Sequence, residues 1–116
     1  MSDTYRLLGK SQISSSVSSI YTNSANTITY IQMIIIHNTN TSSESTKIYR
    51  VANSGGSLGT ALDIDILFNI VIPTNETIMI ELPKGGLCLE STNDSLQAIT
   101  TTSSKVNILI HGIKEV

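Results

Sequence analysis

The sequence has one cysteine, no tryptophan, one phenylalanine and two prolines, and only 14% of its 116 residues are charged. With Cys88 as the sole thiol, neither an intramolecular disulfide nor a cysteine-based zinc site can form, so packing must hold the fold. The few aromatics leave little to build the stacking platforms that single-stranded nucleic acids use. Seven Lys and Arg residues are scattered along a chain of net charge -2, which gives no electrostatic footprint for DNA or RNA. No nucleic acid is therefore expected as a partner. The longest apolar run, Met33 to Ile36, is far too short to cross a bilayer, and Met1-Ser2-Asp3-Thr4-Tyr5-Arg6 lacks an apolar signal region. The expectation is synthesis in a cytoplasm with no membrane partner.

What the chain does contain is isoleucine, set in a background where Ser, Thr and Asn fill roughly a third of the positions. Isoleucine and threonine are β-branched and suit a pleated surface better than a helix. At this length there is room for one domain. Composition thus points to a single all-β domain of short strands joined by polar turns.

Periodicity supports this. Ile64, Ile66, Phe68, Ile70 and Ile72 alternate with Asp63, Asp65 and Asn69, and period two of this purity predicts a strand with one buried face. The pattern recurs at Ile78, Ile80 and Leu82, at Leu87 and Leu89, and at Val106, Ile108 and Ile110. Ile64, Ile66, Phe68, Ile70, Ile78, Ile80, Val106, Ile108 and Ile110 are expected to share one core. Turn segments at Pro73-Thr74-Asn75, Pro83-Lys84-Gly85-Gly86, Ser91-Thr92-Asn93-Asp94 and Thr102-Ser103-Ser104 separate these runs at the spacing of sandwiches and barrels. In the first half, 17–22, 27–37 and 46–51 are strand candidates, with 5–8 as a further one, and Gly55-Gly56-Ser57-Leu58-Gly59 reads as a long Greek-key connection. The expected fold is an antiparallel β-sandwich of about eight strands, jelly-roll or Ig-like, over 17–116, preceded by a polar, Ser-rich N-terminal arm over 1–16.

The segment 27–37 breaks the alternation. Ile28, Tyr30, Ile34 and Ile36 fall on one face and Ile31, Met33 and Ile35 on the other. A second apolar face must meet something: a bulge that exchanges the faces, the arm folded back, or another subunit. The reading adopted is a subunit contact through Ile31, Met33 and Ile35, with Tyr5, Leu7 and Leu8 as anchors of the arm. A homo-oligomer, dimer or trimer, follows from it.

No arrangement carries chemistry. His37 and His111 lack a third metal ligand, Asp63 and Asp65 lack the oxygen-rich loop that calcium needs, and no G-x-S-x-G elbow or phosphate-binding glycine pattern occurs. No catalytic residue, metal or cofactor is expected. Asn40-Thr41-Ser42, Asn75-Glu76-Thr77 and Asn93-Asp94-Ser95 match the glycosylation sequon but read as turns.

Ile20-Tyr21-Thr22-Asn23-Ser24-Ala25-Asn26-Thr27, Ile34-Ile35-Ile36-His37-Asn38-Thr39, Gly55-Gly56-Ser57-Leu58 and Ile72-Pro73-Thr74-Asn75-Glu76-Thr77 together resemble a family of small β-sandwich proteins of tailed-phage particles. The resemblance spans 17–116 and departs from the family at Asn23-Ser24, where a proline is common. It implies a structural component of the virion, an auxiliary capsid, head-fibre or tail protein that docks on capsid or tail proteins. The alternative within the same fold is a carbohydrate-binding or adhesin-like module, for which Tyr5, Tyr21, Tyr30 and Tyr49 are the available aromatics.

Overall fold

The computed structural model describes residues 5–83 and 87–115. Met1–Thr4 of the expected arm and Lys84-Gly85-Gly86 of one expected turn lie outside them. The β-branched segments form nine strands among the described residues: β1 (Tyr5–Gln12), β2 (Ser18–Thr22), β3 (Ile28–Asn38), β4 (Glu44–Val51), β5 (Ile66–Ile72), β6 (Thr77–Glu81), β7 (Cys88–Leu89), β8 (Ser95–Thr100) and β9 (Val106–Glu115). One sheet runs β1-β9-β3-β6, with β7 also pairing β3, and the other runs β2-β8-β4-β5. All pairs are antiparallel. The first strand pairs with the last and most connections cross from sheet to sheet, which makes the expected sandwich a jelly roll.

Between the sheets lies a core dominated by isoleucine. Ile31, Ile34, Ile36, Val106, Ile108 and Ile110 come from one sheet and Ile48, Ile72, Leu96 and Ala98 from the other, all essentially sealed from water. Phe68, Ile70, Ile78 and Ile80 pack against this core only half-buried, because β5 and β6 are the outermost strands of their sheets. Ile64, expected in the core, is 88% exposed. The alternation was misleading there because residues Asp63–Asp65 coil into a 3-10 turn and the strand begins only at Ile66. Asp63 and Asp65 therefore do not share a strand face, and the Asp65 carboxylate accepts from the Leu62 N–H instead.

The expected arm is also corrected. Its residues Tyr5–Gln12 form β1, paired along β9 from Tyr5 opposite Ile113 to Gln12 opposite Asn107, and Ile13 is fully buried in the core. The strand reaches past the 5–8 candidate, beyond which a register shift between Leu7 and Gly9 breaks the period-two pattern.

Two buried carboxylates fasten the ends of the β4–β8 pair. At the start of β4, Glu44 accepts from the Asn40 amide, the Thr100 hydroxyl and the Thr102 N–H. Burial alone would raise its pKa, but these donors together hold it below the ordinary value. At the start of β8, Asp94 accepts from the backbone N–H groups of Asn53 and Ser91 and from the Arg50 guanidinium at 3.4 Å. Here too burial would raise the carboxyl and the donors win, leaving it lowered. Both knots pin loops that would otherwise leave backbone groups unpaired.

Candidate functional site

The six expected contact residues divide. In β3 the register against β9 shifts between Ile31 and Met33, so the bulge at Gln32 turns the strand over. Ile31 thereby joins Ile34 and Ile36 on the core side at 0% exposure, and cannot touch a partner. Met33 and Ile35 stay on the outer side with Tyr30, half-buried. Of the β1 residues, Leu8 packs towards the core, while Tyr5 is 49% exposed and Leu7 is similarly open. The bulge was one of the three explanations open to the sequence, and it accounts for Ile31 without any subunit.

What the fold brings together is the outer face of the β1-β9-β3-β6 sheet. Cross-strand partners share a face, so the register defines rows across it. Leu7, His111, Met33 and Glu81 form one row, and Lys10, Leu109, Ile35 and Met79 the next. Gln12, Asn107, His37 and Thr77 make a polar border, tied by the Gln12 amide to the Asn107 side-chain oxygen and by His37 Nδ1 to the Thr77 hydroxyl at 2.7 Å. Tyr5 stacks on the His111 ring, with centroids 5.8 Å apart. Met79 stands 61% exposed at the edge. A groove of about 540 Å³ crosses the face between Lys10, Gln12, Ile35, His37 and Leu109. Two rows of mainly apolar side chains with a polar rim have the make-up of a protein contact surface. Met79 of β6 and Leu109 and Ile113 of β9 belong to it as well; the signal for the last two was the odd-numbered apolar set of β9, masked by the stronger even set, and Met79 enters only through its register with Ile35.

The other candidate chemistry stays dispersed. Among the described residues no three His, Cys, Asp or Glu side chains gather as metal ligands would. Cys88 is half-buried, and burial together with the nearby Glu90 charge pushes its thiol upward, away from reactivity. The tyrosines do not form one platform. Tyr49 is buried, and Tyr21 packs on the core with its hydroxyl at Thr29 and the Lys114 ammonium over its ring. No described helix is long and apolar enough to cross a membrane.

No protein-family model matches the chain, and a search of curated proteins also gave no match. Solved structures do share its fold. A subunit of Bacillus endospore appendages, described as a novel family of disulfide-linked pili, aligns at TM-score 0.50 and 14% identity, over 99% of this chain and 87% of that one. The coat protein of Tobacco streak virus aligns at TM-score 0.54 and 13% identity over 97% and 84% of the two chains, and its dimer form at 0.53 and 12%. At such identities the likeness is one of fold: this chain has the jelly-roll architecture seen in a viral coat protein and in a pilus subunit.

Proposed function

We propose that the chain is a non-enzymatic structural subunit of a tailed-phage virion, located on its capsid or tail and docking on neighbouring virion proteins through the outer face of the β1-β9-β3-β6 sheet. The observation that carries this reading is the apolar cluster on that face, where Leu7, Met33 and Ile35 stand beside Leu109 and Met79 and Tyr5 stacks on His111. The sequence resemblance to phage particle proteins supports it, as does a fold used by proteins that assemble into coats and pili. The carbohydrate-binding alternative finds less support, since it needs exposed rings and Tyr49 and Tyr21 are engaged inside.

Particles purified from a lysate of cells producing the phage test the reading. The chain should co-sediment with them in fixed stoichiometry through a density gradient, and a Met33→Lys, Met79→Lys double variant should fold yet fail to attach. A chain that stays in the soluble fraction while complete particles form would overturn the proposal.

A further inference from the structure

The edges of the two sheets are not equally protected. β1 carries Arg6 and Lys10 and a bulge, β2 is five residues long with its own register shift, and β6 ends in Glu81 followed by Leu82 and Pro83. Charges, prolines, bulges and shortness are the ways sheets discourage edge pairing. β5 departs from this. Its sequence Ile66-Leu67-Phe68-Asn69-Ile70-Val71-Ile72 has no charge and no proline, and among the described residues its only strand partner is β4. Its one irregularity, the shift that leaves Leu67 extra against β4, sits near one end and leaves Phe68–Ile72 regular.

Exposure points to the same place. Val71 is 63% exposed and Leu67 is open, and the residues leading into β5, Leu58, Leu62 and Ile64, are also exposed apolar side chains. Five of the nine large apolar residues left in solvent among the described residues thus fall within 58–71. On the inner side Phe68 and Ile70 are covered only in part.

The sequence of β5 also states what would cover it. Read outward from Asn69, the pairs are Phe68 with Ile70, Leu67 with Val71, and Ile66 with Ile72, so the strand has nearly the same character in both directions. A segment of this kind is complementary to itself when run antiparallel, as a two-fold contact requires. The flanking acids agree: Asp63 and Asp65 precede the strand, so an antiparallel pair puts the two copies' acids at opposite ends and no carboxylate meets its equivalent. A parallel pairing in register would set each acid against its equivalent, which is destabilising.

We propose that β5 is a homodimerisation edge. Two copies pair their β5 strands antiparallel about a two-fold axis at Asn69, joining two four-stranded sheets into one of eight. Backbone hydrogen bonds supply the pairing, and Leu67 against Val71 on the outer side, with Phe68 against Ile70 on the inner side, supply its register. This rests on the assembly reading above but uses a different surface, so a virion subunit would present its docking sheet while β5 holds the pair together.

Cross-linking and sedimentation test it together. In a Cys88→Ser background, Asn69→Cys brings two thiols within the roughly 4.5 to 5.5 Å Cα separation of directly opposed antiparallel residues, inside disulfide range. Mild oxidation should convert most of the protein to covalent dimer. Val71→Cys in the same background should not cross-link to itself, because its two copies are roughly 13 Å apart. The unmodified chain should sediment as a dimer at tens of micromolar, and Val71→Lys, at an exposed site, should sediment as a folded monomer with an unchanged circular-dichroism spectrum. A wild-type monomer at these concentrations overturns the pairing, as does a Val71→Lys dimer or cross-linking at 71 in place of 69. A dimer that never joins particles would support the β5 pairing and sink only the virion reading; a monomer found on particles would do the reverse.

Discussion

On the β2-β8-β4-β5 sheet the outward residues Tyr49, Val51, Ser95 and Gln97 are buried beneath the chain's own connection from β4 to β5, whereas on the β1-β9-β3-β6 sheet Met33 and Ile35 remain partly open and Met79 largely so. The cover on the first sheet is specific: Gln97 donates its side-chain amide to the Gly59 carbonyl, and Gly59 lies so close to Val51 and the Ala52 carbonyl that it has no room for a Cβ. Both sheets therefore place apolar or buried side chains on two faces. One resolves this within the chain, while on the other Met79 stays largely exposed. A two-sided strand pattern shows that cover is needed, and only the path of the loops shows where it comes from.

Several substitutions separate the two cases. The largest effect is expected from Ile31→Lys, which would place an unpaired ammonium in the core and cost more than about 4 kcal/mol, unfolding the domain instead of freeing a monomer. Urea denaturation followed by circular dichroism measures this directly; a variant of near wild-type stability would mean that the β3 bulge is misplaced. Next, Ile36→Ala removes a fully buried side chain shared by both sheets and should cost about 2 to 5 kcal/mol in the same assay.

Gly59→Ala addresses the covered sheet alone. Its Cβ would sit 2.3 Å from the Ala52 carbonyl oxygen, so the connection must lift, at a cost of roughly 1 to 3 kcal/mol. Hydrogen exchange should quicken in 52–62 and at the β4 and β8 amides beneath it, with β1, β9 and β3 unaffected. Protection lost evenly over both sheets would refute a local cover.

The acid limb tests the Glu44 knot. The folded carboxyl titrates below its unfolded value of roughly 4, so its stabilising contribution is complete above that value and is lost as pH falls through the folded one. Stability should decline below about pH 5, and Glu44→Gln should be less stable at neutral pH with a shallower acid limb. An acid limb unchanged by the substitution would place the titration elsewhere. Smallest of all, Met33→Lys on the open face should change the stability of the isolated domain by no more than roughly 0.5 kcal/mol, while the proposed docking predicts that it abolishes attachment to a particle.

Much of the fold was legible because β5, β6 and β9 carry regular alternation and their turns carry Pro, Asn and Ser. Asn75 and Asn93 even adopt the left-handed backbone that makes asparagine useful there, with φ of 58° and 66°. The errors share a cause. Ile64 was assigned to the strand because period two cannot register a 3-10 turn that carries the alternation on without the strand. Ile31 was assigned to the surface because a single bulge reverses parity for every residue before it. Only 5–8 of Tyr5–Gln12 reads as a strand, because an edge strand with a bulge, a glycine and two cations has little pattern of its own, and its place comes from β9, which lies far along the chain. The candidate face was half legible: Tyr5, Leu7, Met33 and Ile35 do stand on one surface, but Leu109 and Met79 enter it only through pairing register.

That pairing also sets a clock. The only strand partner of β1 among the described residues is β9, and Tyr5 meets Ile113. A ribosome adding roughly 5 to 20 residues per second needs on the order of 5 to 20 s to deliver the second after the first. During that interval β1 lacks the strand it pairs with and Ile13 has no finished core to enter, so the sandwich can close only after β9 has been made. Closure of this sheet then waits for β9, and any folded copy nearby meets the nascent one while its first sheet is still open.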